Sequence, residues 1–141
     1  MNKWTHANIL NLLGQLSEFF NQGITAKQCL IFNWNEIPKE IIHGVYIIKH
    51  KGDIVYVGKG RIRDRQKMHI EKLTGAFKRA EDTVGFKMLR ESDHYNINAY
   101  NCQVYYFDCH SASAASAIEG SLIHFLQPLA NKETFQERHI L

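Results

Sequence analysis

The residues that most constrain the fold are 44–69, where two short apolar runs are separated by a turn and followed by a basic stretch. The runs 44–48 and 54–58 are rich in β-branched and aromatic residues, which is typical of strands. A glycine-containing turn between two such runs predicts a β-hairpin. The glycines at 58 and 60 let the chain turn from the second strand into a helix.

The length of the hairpin loop decides which side chains of the two strands meet. With a three-residue loop that ends at Gly52 in the left-handed conformation, Lys49 lies opposite Asp53 and Tyr46 lies opposite Tyr56. Directly opposed residues point to the same face, so the two phenols converge. A two-residue loop shifts the register by one residue and separates them.

The order of the residues in this stretch resembles the GIY-YIG nuclease superfamily. The two name motifs are present as Gly44-Val45-Tyr46 and Tyr56-Val57-Gly58, with Lys59 directly after the second. The arginine and histidine of the following helix match Arg65 and His69, which are four residues apart and share one face. Each tripeptide alone is a weak signal, whereas the ordered set is specific.

The distal part of the superfamily pattern is a glutamate on a later helix and an asparagine about three turns on, and Glu119 and Asn131 match it. The resemblance covers roughly residues 43 to 132. It implies an α+β fold with a small three-stranded, mainly antiparallel sheet flanked by helices. The nuclease core is then 43–141, and residues 1–42 form an N-terminal helical extension packed on it.

The resemblance also implies the residues that act in catalysis, which are Tyr46, Tyr56, Arg65, His69, Glu119 and Asn131. Tyr46 is the implied general base, with His69 as an alternative base or as the acceptor of the Tyr46 proton. An unperturbed tyrosine has a pKa of about 10, so a cation must assist it. Lys59 and Arg65 are the candidates.

In the same pattern, Arg65 and Tyr56 bind phosphate, and Asn131 orients Glu119 or the substrate. The spacing from Gly58 to Arg65 is one residue shorter than in many members, which leaves Arg63 as the alternative arginine.

Glu119 lies on the apolar stripe of the last predicted helix, where an unpaired carboxylate is costly. The helix alone favours a glutamate at the rim of the core, paired with an arginine. With the other motif residues, a metal ligand is favoured. By resemblance, Glu119 is the single protein ligand of Mg²⁺, with Mn²⁺ as a substitute, and one carboxylate plus substrate phosphate suits this ion.

Positive charge is concentrated next to this predicted site. Residues 59–90 contain ten Lys or Arg and four Asp or Glu, whereas the rest of the chain contains seven and ten. Composition alone favours a solvated helical surface, but beside the motifs the pattern favours a polyanion. The residues expected to bind nucleic acid are Gly58, Lys59, Arg61, Arg63, Lys67, Lys72, Lys78 and Arg79.

The remaining elements follow from periodicity and caps. We predict helices at 5–21, 77–92 and 112–127, a third strand at 102–108, a helix or strand within 24–32, and a helical turn from Pro38 to Ile42. Thr5 and either Ser111 or Ser113 are the expected N-caps.

Three function classes remain open. The first is a Mg²⁺-dependent DNA endonuclease of restriction, repair or phage type. The second is an RNA-cleaving or toxin nuclease with the same site, and the third is a non-catalytic nucleic-acid-binding module. The expected partner is nucleic acid, with double-stranded DNA favoured, and a second copy of the chain if both strands are cut. No membrane-spanning or signal segment is read in the sequence, and three cysteines without a CxxC pair favour a cytoplasmic location.

Overall fold

A computed structural model of the chain describes residues 3–74, 89, 91 and 96–131. Within these ranges the elements are α1 (His6–Phe19), β1 (Lys27–Leu30), a 3-10 helix (Ile31–Glu36), β2 (Gly44–His50), β3 (Asp53–Gly60), α2 (Ile62–Thr74), β4 (Gln103–Asp108) and α3 (Ala112–Leu126). None of the described helices has the length and apolar character needed to cross a bilayer.

The described strands form one antiparallel sheet in the order β1-β4-β2-β3. The fold is α+β with helices beside the sheet, as predicted, but the prediction of three strands is corrected to four. The additional strand is β1, which comes from the N-terminal 42 residues and pairs with β4 at the edge of the sheet. It lies within 24–32, where the sequence allows either a helix or a strand, because its sequence, KQCL, lacks β-branched and aromatic residues and shows no alternation of buried and exposed positions.

Helices cover both faces of the sheet. Helices α1 and α3 pack on the face that carries Val45, Ile47 and Val57. Helix α2 packs on the opposite face, which carries Tyr46 and Ile48. Strand β2 is therefore buried on both sides, which explains its continuous apolar sequence.

The turn between β2 and β3 is shorter than predicted. His50 pairs with Asp53, so the loop has two residues, Lys51 and Gly52. Lys51 is the residue in the left-handed conformation, with a φ of 53°. The predicted three-residue loop with Gly52 in that conformation is wrong, and so is the predicted pairing of Lys49 with Asp53.

A β-bulge at Val55 keeps Tyr46 and Tyr56 on the same face of the sheet, which the two-residue loop alone would not do. The pairing skips Val55, because Ile54 and Tyr56 pair with consecutive residues of β2. This extra residue adds a second one-residue shift in the same direction, so the total shift is two residues and Tyr56 returns to the face that carries Tyr46. Tyr46 lies opposite Gly58 instead of Tyr56, and the two tyrosines are diagonal neighbours on one face.

The helix predictions differ from the structure mainly at their ends. Thr5 and Ser111 cap α1 and α3, each accepting a backbone N–H through its hydroxyl at 3.1 and 3.2 Å. After Pro38 the chain makes a turn at residues 39–40, which is shorter than the helical turn predicted from Pro38 to Ile42. The prediction of a helix at 77–92 falls almost entirely outside the described residues.

Candidate active site

Three aromatic rings from three elements meet on the α2 side of the sheet. Tyr46 comes from β2, Tyr56 from β3 and His69 from α2. The ring centroids are 6.1 Å apart for the two tyrosines, 5.5 Å for Tyr46 and His69, and 4.8 Å for Tyr56 and His69. The structure thus brings together three of the residues singled out in the sequence.

Tyr46 and His69 are joined by a buried hydrogen bond. The Tyr46 Oη and His69 Nε2 atoms are 2.7 Å apart, and the residues are 2% and 0% exposed. Burial raises the pKa of Tyr46 well above its ordinary value, Tyr56 and Glu119 raise it further, and Arg65 opposes them. Burial, with neighbouring cations adding to the effect, lowers the pKa of His69 to about 3. Both groups are therefore neutral at pH 7, and the direction of the bond follows the His69 tautomer.

Two glycines of β3 allow the side chains to approach this closely. A Cβ added at Gly58 would overlap the Tyr46 phenol and lie 2.9 Å from Cε1 of Tyr56. Gly60 has a φ of 122°, a conformation that favours glycine, and the Nε of Arg65 is 3.5 Å from the position of an added Cβ. The backbone of β3 thus lies against the phenols at Gly58 and near the guanidinium at Gly60.

Two cations act on this cluster: Lys72, which lowers the pKa of His69, and Arg65. The Arg65 side chain is exposed, and its charge lowers the pKa of both Tyr46 and His69. Lys59, the other predicted candidate, instead donates from Nζ to Oγ of Ser116 on α3 at 2.5 Å. Of these two candidates, Arg65 is the one whose charge lowers the pKa of Tyr46, and burial outweighs that effect.

Glu119 is half-buried on α3, beside the buried residues Ala115, Ile118 and Leu122. Its negative charge is one of the causes that raise the pKa of Tyr46, so the carboxylate lies within electrostatic range of the phenol. The Glu119 carboxylate and the Tyr46 phenol therefore interact electrostatically, although α3 packs on the face of the sheet opposite to the one that carries Tyr46.

The Glu119 carboxylate is the hard oxygen donor that could hold a cation in this part of the structure. Among the described residues, no three His, Cys, Asp or Glu side chains are grouped as metal ligands. Mg²⁺ needs no such group when one carboxylate, water and substrate phosphate complete its octahedron. Glu119 disfavours loss of the Tyr46 proton, and a cation bound at Glu119 would offset that charge. Within the described part of the chain, Glu119 could therefore hold Mg²⁺ or Mn²⁺ only with water and oxygens of another molecule as the remaining ligands.

Asn131 is a buried residue, 3% exposed, that fastens the chain to the outer edge of β3. Its Oδ1 accepts the Val57 N–H at 2.8 Å, and its Nδ2 donates to the Val57 carbonyl at 2.7 Å. The backbone N–H groups of residues 129 and 130 donate to two β3 carbonyls at 3.0 and 2.8 Å. These bonds cover the edge of β3 and hold the strand that carries Tyr56. The predicted orientation of Glu119 or substrate by Asn131 stays a prediction.

The predicted phosphate-binding side chains of α2 occupy different surroundings. The Arg63 guanidinium and the Lys67 ammonium lie 5.6 and 5.9 Å from the centroid of the Trp34 ring. Arg63, the alternative to Arg65, therefore faces the N-terminal segment. Arg61 is exposed, and Lys72 is buried in the last turn of α2. Lys78 and Arg79 lie outside the described residues.

Gln66 was not singled out in the sequence, yet it belongs to the buried face of α2. It is fully buried, and neither its Oε1 nor its Nε2 has a hydrogen-bond partner among the described residues. It lies four residues after Ile62 and three before His69, both of which are buried. A polar residue at helical spacing within an apolar stripe is the sequence signal that identifies it.

No family model matches the chain, and neither curated proteins nor solved structures give a match. The function is therefore inferred from the residues themselves. They provide a neutral phenol–imidazole pair, an exposed guanidinium beside it and a carboxylate within range. Such a set can bind an anion, hold a cation and transfer a proton.

Proposed function

We propose that the chain is a metal-dependent nuclease of the GIY-YIG type that hydrolyses phosphodiester bonds in DNA. The observation that carries the proposal is the buried hydrogen bond of 2.7 Å between Tyr46 and His69, with Arg65 and Glu119 acting electrostatically on Tyr46. The order of these residues along the sequence supports it as well, because it is the order of the superfamily pattern.

Binding of the scissile phosphate is assigned to Arg65. Its planar guanidinium can donate two parallel hydrogen bonds to phosphate oxygens, and its side chain is accessible from solvent. The Tyr56 hydroxyl, on the same face as Tyr46, adds a neutral donor to the bound phosphate. A phosphate held there lies next to the phenol–imidazole pair, so positioning and proton transfer use neighbouring groups.

Activation of the attacking water is assigned to Tyr46 and His69 together. The raised pKa of Tyr46 disfavours a stable phenolate. In a concerted transfer, the Tyr46 oxygen takes a proton from water while its own proton passes to Nε2 of His69, and the phenol stays neutral. His69 is neutral beforehand and so can accept this proton, and the negative charge of the bound phosphate stabilises the imidazolium that forms.

Glu119, together with phosphate oxygens of the substrate, would hold the divalent ion. When bound, Mg²⁺ or Mn²⁺ supplies stabilisation of the negative charge that develops on the phosphate and leaving-group oxygens. One such centre cuts one strand, so cleavage of both strands requires two copies of the chain or two successive cuts.

The test is incubation of the protein with supercoiled plasmid, single-stranded DNA and RNA, with Mg²⁺ or with a chelator. We expect nicked plasmid only with Mg²⁺. Glu119→Gln keeps the shape but removes the charge, and we expect it to slow nicking at least about a hundredfold, the scale of a lost electrostatic contact in the transition state. Glu18→Gln, on the exposed side of α1, is the matched control and should not change the rate.

The outcomes separate the function classes. Nicking that persists with chelator or in Glu119→Gln would overturn the metal-dependent assignment. Cleavage of RNA but not of DNA would change the assigned substrate from DNA to RNA. Binding of DNA without cleavage, with either Mg²⁺ or Mn²⁺, would favour a non-catalytic binding module.

A further inference from the structure

A basic cleft with an aromatic wall lies beside α2, apart from the Tyr46–His69 pair. Its volume is about 420 Å³. The residues that line it include one aromatic, four basic and one acidic side chain, namely Trp34, Lys39, Arg61, Arg63, Lys67 and Asp64. The aromatic wall belongs to the 3-10 helix of the N-terminal segment, which lies outside the superfamily pattern.

The arrangement of the cations in this cleft favours an anionic ligand. Arg63 and Lys67 are four residues apart on α2, and like charges at this spacing destabilise a helix. Both cations are nevertheless held within 6 Å of one Trp34 ring, at 5.6 and 5.9 Å. Cation–π attraction of this kind favours these positions. An anion bound between the two cations would reduce their repulsion.

We propose that this cleft binds the sugar–phosphate backbone of nucleic acid at a second position, with Trp34 as the positioning residue that holds Arg63 and Lys67. The inference rests on the proposed function for the identity of the ligand. It assigns the N-terminal segment a part in substrate binding in addition to its part in the sheet.

The position of the cleft on α2 separates the phosphate that it contacts from the phosphate held by Arg65. Residues two apart on a helix are about 200° apart around its axis, so Arg63 and Lys67 lie on the opposite side of α2 from Arg65 and His69. A helix with its side chains is about 10–12 Å across, so the cleft contacts a phosphate other than the one held by Arg65.

Tryptophan fluorescence reports on this cleft directly. The chain has two tryptophans, and Trp4 lies at the β2–β3 turn, where its backbone N–H donates to the Gly52 carbonyl at 2.8 Å. Trp4→Phe therefore leaves Trp34 as the single tryptophan, which can be excited at wavelengths where tyrosine does not absorb. Titration of this variant with a short DNA duplex in the presence of chelator measures binding without cleavage. We expect the Trp34 emission to change with the same midpoint as binding measured by anisotropy of labelled DNA.

Charge substitutions give an independent measurement. We expect Arg63→Gln with Lys67→Gln to weaken DNA binding and to reduce the slope of log K against log salt by about 2, one for each lost phosphate contact. Lys27→Gln with Lys51→Gln removes the same charge from exposed positions on β1 and at the hairpin turn, and should have a much smaller effect. Trp34→Ala should weaken binding without a charge change, and Trp34→Phe should restore it.

The results distinguish this proposal from the nuclease proposal. The proposal of a second backbone-binding cleft would be overturned, even if cleavage is intact, if DNA binds with constant Trp34 emission and the two double variants have equal salt slopes. A Trp34 response with a reduced slope in the α2 double variant would support the cleft even if no cleavage occurs. If Trp34→Ala fails to fold, the emission titration and the double variants still decide.

Discussion

The Tyr46 hydroxyl lies 2.7 Å from Nε2 of His69, in the buried contact between β2 and α2. The bond joins residues 23 positions apart and links the middle of the sheet to the helix that carries Arg65. The hydrogen bond across which a proton is proposed to move is also one of the bonds that hold α2 on the sheet. Chemistry and stability are therefore coupled at this pair, and both can be measured.

Tyr46→Phe removes this hydroxyl with little change of shape. We expect plasmid nicking to fall by about 10²–10⁴, the range for loss of a general acid–base group. The free energy of unfolding should fall by about 1–3 kcal/mol, because a polar atom of the buried His69 loses its partner. Tyr105→Phe is the matched control, since Tyr105 Oη is 2.9 Å from Nδ1 of His6 on the other face of the sheet. Equal activity of the two variants would contradict the assignment of Tyr46.

Gly58→Ala tests the close approach of the phenols to β3. The added methyl would overlap the Tyr46 phenol, so one of the two must move. We expect a loss of about 1–3 kcal/mol in unfolding free energy, typical of overpacking, together with loss of nicking. Gly14→Ala in α1 is the control, because nothing lies within 4 Å of its added Cβ, and it should stabilise the protein by about 0.5–1 kcal/mol. Urea unfolding of both variants measures the difference, and a neutral Gly58→Ala would contradict the packing.

The buried His69 predicts a loss of stability in mild acid. Its pKa is about 3 in the folded protein and 6.5 in an exposed state, so the unfolded chain binds more protons between these values. The stabilising contribution is complete above pH 6.5 and is lost as the pH falls towards 3, by up to about 1.4 kcal/mol per pH unit. Urea unfolding at a series of pH values measures the slope. His69→Gln should reduce the slope of unfolding free energy against pH just below pH 6.5. His124→Gln, at an exposed position, is the control and should leave that slope unchanged.

Gln66→Leu should stabilise the protein, which is unusual for a polar-to-apolar change. The buried amide has no hydrogen-bond partner among the described residues, and such a group costs about 1–3 kcal/mol. Leucine has a similar volume and removes that cost, so we expect a gain of about 1–2 kcal/mol in urea unfolding. Gln15→Leu, exposed on α1, should change stability by less than about 0.5 kcal/mol. A destabilised Gln66→Leu variant would show that the amide has a partner.

The elements that the sequence predicts well are those with local signals. The caps Thr5 and Ser111 and the two strand runs of the hairpin are visible in a few consecutive residues. Strand β1 carries no such signal, because its pairing with β4 rather than its own alternation makes it a strand.

The electrostatics of the candidate site are less predictable, because they depend on tertiary burial. Neighbouring cations led us to expect assistance in deprotonating Tyr46, but desolvation by the surrounding core outweighs the charge of Arg65. Nor does the sequence indicate that Trp34 would meet Arg63, since the contact joins segments about thirty residues apart.

The skipped residue in β3 has a consequence for how this hairpin tolerates insertions and deletions. Val55 has no partner on β2, so its deletion would leave Ile54 opposite Lys49 and Tyr56 opposite Ile48, and Tyr56 would still face α2. If Val55 entered the regular pairing instead, Tyr56 would lie opposite Ile47 and turn to the other side of the sheet. A homologue that lacks this one residue can therefore present the same two hydroxyls from a regular strand.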